Sequence, residues 1–213
     1  PSGKIQPSEA LSFGIITSIL SIIILGLSIN WLAASLLAFT IFFYAVVYTM
    51  WLKRHTVQNI VIGGAAGAFP PIIGHICATG SIGVEALILF LIIFLWTPPH
   101  FWALALVNKS DYRAANIPML PIIYGDMATR KNIFIYSLLL MPCAYLPWIL
   151  NYSGNFYVIV VTLLNIEFIR RSIYVLKENK DSEKGLFVYS IFYLSILFAS
   201  ICFDKFISNF MIG

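Results

Sequence analysis

The sequence predicts an all-α protein, a polytopic bundle of transmembrane helices, from its composition and from the length of its apolar runs. Hydrophobic residues make up 60% of the 213 residues and charged residues only 10%, whereas about a quarter of a typical soluble domain is charged. The apolar runs are about 20 residues long, which is the length of helix that crosses the hydrocarbon core of a bilayer. Lipid must therefore be the solvent for much of the surface.

Seven such runs follow one another along the chain and predict seven spans. They are 9–28, 31–52, 57–78, 84–107, 131–150, 154–176 and 185–206. Because they leave no room for a soluble domain, we expect residues 1–213 to form a single membrane domain. The third run is rich in glycine and alanine between Gly63 and Ala68, which permits a neighbouring helix to approach closely. Pro70 and Pro71 then interrupt it.

Nearly all basic residues fall in alternate connections between the runs. If the seven runs cross the bilayer alternately, 12 of the 13 Lys and Arg residues lie on one side and Lys205 alone lies on the other. The positive-inside rule makes the basic side cytoplasmic. A membrane surface thereby explains the net charge of +4, and we expect no nucleic-acid partner.

Two connections on the basic side carry candidate functional residues. Lys53 and Arg54 occupy the tight turn after the second run, and Arg in particular suits phosphate oxygens. The alternative is that both only anchor a helix end. The connection 108–130 is longer, about 20 residues, and long connections are often functional. It contains Asp111 and Asp126, whose oxygens suit Mg²⁺, although a solvated loop would hold as many acids.

Ionisable residues inside the runs have separate interpretations. His100 lies within the fourth span, and an intramembrane ionisable residue is a functional candidate by default. A neutral histidine bonded to a backbone carbonyl would instead be structural. Glu167 is spaced to pair with Arg170 and Arg171 on one helix. Glu85 lies in the first turn of the fourth span, where the helix dipole favours an acid.

Four strings of residues occur in an order and spacing that is specific as a set. They are Leu52–Arg54 with Asn59–Gly64, Gly67–Gly74, Trp96–Trp102, and Asp111–Pro121. Together they resemble the protohaem IX farnesyltransferases, or haem O synthases, a branch of the intramembrane prenyltransferase superfamily. The resemblance covers essentially the whole chain.

The resemblance implies a nine-helix fold, of which seven spans are present here, with two acidic motifs that hold Mg²⁺ and an isoprenyl diphosphate. Asp111 falls in the second motif and supplies a single carboxylate where the family loop is often richer in acids. The string Pro1–Lys4 resembles the sequence that follows the first acidic motif in the family. We therefore expect that the first acidic motif and two spans precede this sequence. We therefore expect residues 1–213 by themselves to be inactive.

The implied reaction transfers a farnesyl group from farnesyl diphosphate to a vinyl group of haem B, giving haem O and diphosphate. Lys53, Arg54 and Asp111 are the expected catalytic residues, and Asp111 is expected to face Mg²⁺ through the diphosphate. The expected substrate-binding residues are Asn59, His100, Trp102, Lys109, Tyr112 and Arg113.

The resemblance also implies where the protein works and with what. We expect a multi-pass protein of the plasma (inner) membrane, or of the mitochondrial inner membrane in a eukaryote, with its active-site loops in the cytoplasm. Proteins of the haem pathway or of terminal-oxidase assembly are candidate partners, beside the lipid bilayer itself. Two other interpretations stay open: a prenyltransferase for an aromatic acceptor of a quinone pathway, and a transporter-like or catalytically inactive membrane protein.

Overall fold

The described part of the protein is built from helices joined by short connections. A computed structural model describes residues 3–179 and 181–212, with side chains as far as Ile207. Pro1, Ser2 and Lys180, which entered the predictions above, lie outside the described residues. The helices are α1 Pro7–Ser28, α2 Trp31–Phe42, a π-helical segment Phe43–Leu52, α3 Asn59–Ala68, α4 Pro70–Thr79, α5 Val84–Val107, α6 Lys109–Ala114, α7 Leu120–Ile123, α8 Asp126–Ile149, α9 Asn155–Leu176 and α10 Ser182–Ile212.

The predicted all-α membrane fold is confirmed. Each of the seven apolar runs corresponds to a long helical segment, in which α2 continues into the π-helical segment and α3 is followed by α4. Six of these segments are long and apolar enough to cross a bilayer. The segment that is not among the six is α9, because it carries Glu167, Arg170 and Arg171 in its second half.

The long connection predicted after α5 is present over residues 108–125, but it is partly helical and ends earlier than predicted. The short helices α6 and α7 occupy much of this connection, and α8 begins at Asp126, five residues before the predicted start. Gly125 has a φ of 83°, a conformation that glycine adopts readily, and Asp126 then lies in the first turn of α8, where the helix dipole favours an acid. Met119 and Leu120 are buried, so α7 is held against the bundle by apolar contacts.

Helix α5 lies at the centre of the bundle and α1 at its edge. Helix α5 packs against α3, α4, α8 and α10, and its residues Ile92 and Ala103 are fully buried. Helix α1 packs against α2 and leaves large apolar side chains such as Phe13 and Leu27 exposed. Exposed apolar surface of this kind is compatible with lipid as the solvent.

The predicted close approach at the glycine-rich third run is confirmed. A Cβ added to Gly64 would lie 2.7 Å from Cγ2 of Thr97, so α3 and α5 are nearly in backbone contact there. The run breaks at Phe69, which ends α3 and precedes Pro70 at the start of α4. The glycine makes room for the neighbouring helix, and the prolines end one helix and begin the next.

Ion pairs join the helix ends on the basic side. The predicted pairing of Glu167 is confirmed, with Nε of Arg170 and Nε of Arg171 each 2.6 Å from its carboxylate oxygens. Arg130 of α8 lies between two acids, with Nη1 2.6 Å from Oε1 of Glu178 and Nη2 2.8 Å from Oε1 of Glu183. This arginine therefore ties α8 to the start of α10.

Candidate active site

A cavity of about 380 Å³ lies near the basic-side end of the bundle. Its walls come from the π-helical segment, α3, α5 and the connection that contains α6. It is lined by Tyr44, Tyr48, Lys53, Asn59, Ile60, Gly63, Gly64, Gly67, Ile93, Trp96, Thr97, Phe101, Tyr112, Ile117 and Met119. Apolar and aromatic groups form the walls, and the polar side chains are few, as in ligand pockets generally.

The π-helical geometry explains why Tyr44, Tyr48 and Lys53 share this cavity. In a π-helix the hydrogen bonds connect residues five apart, as in the bond from the N–H of Lys53 to the carbonyl of Tyr48 at 2.8 Å. A turn then takes slightly more than four residues, so residues spaced by four and then five lie on one face. Nine residues of regular α-helix would make about 2.5 turns and would put Lys53 on the side opposite Tyr44.

Asn59 is the most buried polar residue of the cavity. Its side chain is 1% exposed, and its Nδ2 donates a hydrogen bond to the carbonyl oxygen of Lys53 at 3.2 Å. Its Oδ1 is buried and, among the described residues, has no hydrogen-bond partner. Because an orphaned buried acceptor is unfavourable, this oxygen is suited to a ligand that brings a donor or a cation.

Tyr112 lies at the mouth of the cavity beside Asp111. Burial raises the pKa of the Tyr112 hydroxyl, and the neighbouring Asp111 carboxylate raises it further. The hydroxyl therefore stays protonated at neutral pH and can donate a hydrogen bond to an anion. Asp111 itself is exposed on α6.

The three other basic residues that were predicted for the site lie near the first cavity but do not line it. They are Arg54, Lys109 and Arg113. Arg54 lines a second cavity of about 420 Å³, which shares Lys53 and Ile117 with the first. Lys109 pairs with Asp126, with its Nζ 2.6 Å from Oδ1, and it does not line either cavity. Arg113 is exposed on α6 and does not line them either.

His100 and Trp102 lie behind the cavity wall. The His100 ring stacks on Trp96 and Phe187, with centroid separations of 4.4 and 4.7 Å, and its Nδ1 is 2.6 Å from Oγ of Ser190. Trp102 is 2% exposed and its ring meets Tyr136 edge-on at 5.3 Å. Thus Trp96, Thr97 and Phe101 are the members of this string that face the cavity.

The oxygen atoms of the site fit a divalent cation that is held mainly by a bound phosphate. Mg²⁺ is usually bound through one or two carboxylates together with substrate phosphates and water. Asp111 offers a carboxylate at the mouth, and Asn59 offers its orphaned Oδ1 within the wall. Among the described residues no group of three His, Cys, Asp or Glu side chains could hold a metal alone, so the phosphate would have to supply ligands.

The sequence profile of the UbiA prenyltransferase family matches residues 1–197. The chain belongs to this family. Protoheme IX farnesyltransferase 2 of Mesorhizobium japonicum is 55% identical over 210 residues, covering 96% of this chain and 67% of that protein. Protoheme IX farnesyltransferase of Brucella ovis is 51% identical over 209 residues, with the same two coverages.

The fold of this UbiA prenyltransferase also matches a solved structure, from work on digeranylgeranylglyceryl phosphate synthase in membranes. The TM-score is 0.80 at 24% sequence identity, and the match covers 96% of this chain and 72% of the other. At this identity the likeness shows a shared fold. The all-helical architecture is therefore shared with a protein of known structure.

Several wall residues of this UbiA prenyltransferase were not predicted from the sequence. Tyr44, Tyr48 and Thr97 face the cavity, yet each lies in an apolar run where a polar atom is easily assigned to packing. The two tyrosines are spaced by four residues, which is also a helical spacing. The two tyrosines face the same side as Lys53 only because this segment is π-helical. No pattern in the sequence predicts that change from α-helix to π-helix.

Proposed function

We propose that this protein transfers a farnesyl group from farnesyl diphosphate to a vinyl group of haem B, giving haem O and diphosphate. Membership of the UbiA prenyltransferase family and the names of the relatives from Mesorhizobium and Brucella support this reaction. The observation that carries it is the cavity itself, in which Lys53, Asn59 and Tyr112 border an aromatic, apolar chamber. That arrangement suits a molecule with an anionic head and a hydrocarbon tail.

In this proposal the diphosphate binds at the mouth of the cavity. Lys53 supplies a positive charge in the wall, Tyr112 supplies a protonated hydroxyl, and Arg54 approaches from the adjoining cavity. Cleavage of the allylic C–O bond leaves negative charge on the diphosphate, and donors aimed at developing charge lower the barrier. Mg²⁺, held by Asp111 and the Asn59 oxygen together with the phosphates, would neutralise further charge on this leaving group.

The farnesyl chain occupies the apolar part of the chamber. Tyr44, Tyr48, Trp96 and Phe101 present aromatic rings there, and aromatic faces attract cations. They therefore stabilise the allylic cation, and the apolar walls limit the water around it.

Haem B would approach from the side of Trp96, where His100 is suited to contact it. The single hydroxyl proton of Ser190 is donated to the carbonyl of Phe187 at 2.6 Å. His100 must then donate from Nδ1 to Ser190 Oγ, and its Nε2 is left as an acceptor. A neutral imidazole with a free Nε2 is a common iron ligand. Trp102 would not contact haem B but would support this segment of α5 by packing behind His100. Lys109 and Arg113, on α6, would raise the positive potential around the cavity mouth.

We further propose that the cavity mouth faces the cytoplasm. The protein is a multi-pass membrane protein, and the mouth lies at the end of the bundle whose connections hold most of its basic residues. The positive-inside rule assigns such connections to the cytoplasm. The membrane would be the plasma membrane of a bacterium or, in a eukaryote, the mitochondrial inner membrane.

A direct assay tests the reaction. The full-length protein, purified into lipid nanodiscs, is incubated with Mg²⁺, farnesyl diphosphate and haem B, and the haems are separated by chromatography. We expect haem O to form and EDTA to abolish its formation. An aromatic acid replaces haem B in a parallel reaction, and prenylation of that acid without haem O would refute the proposed acceptor.

Replacing Tyr112 by phenylalanine removes one donor to the diphosphate. We expect kcat/KM to fall by about 10- to 150-fold, because a hydrogen bond to a charged group contributes about 1.5–3 kcal/mol. Since the raised pKa of Tyr112 keeps the wild-type hydroxyl protonated at neutral and mildly alkaline pH, the ratio of wild-type to variant kcat/KM should not change from about pH 7 to pH 9. A ratio near one at pH 7 would show that the hydroxyl is not a donor to the diphosphate, and a ratio that falls toward one as pH rises would show that it ionises in this range.

A further inference from the structure

A third cavity lies at the end of the bundle opposite the candidate active site. Its volume is about 260 Å³, and we call it the distal cavity. It lies where α4 ends, α5 begins, α8 meets α9 and α10 approaches its end. It is lined by His75, Glu85, Ile88, Leu89, Pro147, Tyr152, Ser153, Ile201 and Lys205.

The charged side chains described at this end of the bundle lie close to one another, in or beside the distal cavity. Lys205, the one basic residue assigned to this side, lines the distal cavity together with Glu85. Asp204 borders a smaller adjoining cavity with Lys205, and its carboxylate accepts hydrogen bonds from the backbone N–H groups of Gly154 and Tyr157 at 2.6 and 3.0 Å. Asp204 thus fixes the start of α9, whereas Glu85 and Lys205 face the distal cavity.

Within the part of the chain that the structure describes, polar groups of the distal cavity are available to a ligand. Among the described residues, Glu85 and Lys205 form no ion pair with each other, and Ser153 Oγ is buried without a hydrogen-bond partner. Nε2 of His75 and Oε2 of Glu85 both lie against the position that a Gly83 Cβ would take. Both side chains therefore point to one spot, for which Gly83 leaves room.

The charges and the size of the distal cavity select the class of ligand. An anion alone would meet the Glu85 carboxylate, and a cation alone would meet the Lys205 ammonium, so a group with both charges fits better. The volume lies below the range of about 300–1,000 Å³ that is typical of drug-sized ligands. Ile88, Leu89 and Ile201 add an apolar wall suited to a hydrocarbon chain.

We propose that the distal cavity binds the headgroup of a zwitterionic phospholipid, with its phosphate at Lys205 and Ser153 and its ammonium at Glu85. Such a lipid would bridge α5, the α8–α9 connection and α10 at the end of the bundle away from the diphosphate site. Phosphatidylethanolamine has the required pair of charges, and its primary ammonium can donate hydrogen bonds to Glu85 and His75.

Native mass spectrometry of the detergent-solubilised protein tests this proposal. The protein is titrated with phosphatidylethanolamine, with the anionic phosphatidylglycerol, and with chain-free glycerophosphoethanolamine. We expect phosphatidylethanolamine to bind about two- to fivefold more tightly than phosphatidylglycerol, which is the scale of one partly exposed charge pair. The chain-free headgroup should bind far more weakly, because it lacks the apolar contact.

Charge variants make the test specific. Glu85→Gln should reverse the preference in favour of phosphatidylglycerol, because Lys205 is then the remaining charge, and Lys205→Gln should weaken both lipids. Lys177→Gln, an exposed lysine at the other end of the bundle, is the matched control and should change neither. Equal binding of the two lipids with no effect of Glu85→Gln would overturn the proposal, as would chain-free headgroup that binds as tightly as the lipid. Lys205 is exposed, so its variant remains informative if Glu85→Gln does not fold.

Discussion

Replacing Lys53 by methionine is expected to lower kcat/KM for farnesyl transfer by about 10²–10³-fold, the effect of removing one donor that faces developing negative charge. Methionine keeps the length of the side chain and removes the charge. Lys53 lies in the wall shared by both cavities of the site, where little water can replace the lost ammonium. The measurement is haem O formation at varied farnesyl diphosphate concentration, with protein quantity and melting temperature checked in parallel.

Two further variants test whether the lost activity comes from the charge at position 53. Lys53→Arg retains the charge and should recover part of the lost activity, although the planar guanidinium will not place its donors identically. Lys177→Met removes an exposed lysine of the same bundle end and should leave kcat/KM unchanged. Wild-type turnover by the Lys53→Met protein would remove Lys53 from the catalytic residues.

Replacing Gly64 by alanine is expected to destabilise the protein by about 1–3 kcal/mol, the usual penalty of overpacking a tight contact. The added methyl would lie 2.7 Å from Cγ2 and 3.1 Å from Cβ of Thr97. Neither atom is the end of a flexible side chain, so α3 and α5 must move apart. Because Gly64 and Thr97 both line the cavity, we expect a lower melting temperature in detergent and weaker binding of farnesyl diphosphate.

The contact can be relieved from the other side. Thr97→Ser deletes the Cγ2 methyl and retains the hydroxyl that donates to the carbonyl of Ile93 at 2.7 Å. The Gly64→Ala/Thr97→Ser protein should therefore melt closer to the wild type than Gly64→Ala does, with a coupling energy that a double-mutant cycle measures. Gly67→Ala is the control one turn along α3, where a Cβ meets nothing within 4 Å. A melting temperature lowered equally by both glycine variants would show that close packing at Thr97 is not the cause.

The sequence predicted the membrane fold well because lipid imposes strict rules on local composition. Every backbone polar group inside a bilayer needs a partner, so each span must be a long apolar helix, and hydropathy reveals such helices directly. One part of the prediction failed after α5, because Asp126 was placed in the long connection, whereas it begins α8. Short helices depend on their packing against the bundle, as Met119 and Leu120 show, and composition alone does not encode that packing.

The candidate site was predictable only in part. Lys53, Asn59 and Tyr112 were named from motifs, and all three line the cavity. Lys109 was also named, but in the structure it pairs with Asp126. Whether a lysine faces a cavity or a neighbouring carboxylate depends on the relative position of two segments 17 residues apart, which the order of residues does not specify.

The sequence by itself determined that this protein is a helical membrane protein, which connections carry its basic residues, and which motifs it shares with prenyltransferases. These properties depend on local composition and order. The tertiary structure alone decided that the π-helical segment turns Tyr44, Tyr48 and Lys53 toward one chamber, and that Glu85 and Lys205 meet at the other end. Such convergence depends on helix register and on contacts between distant segments, since a shift of one residue turns a helical side chain by more than a quarter turn.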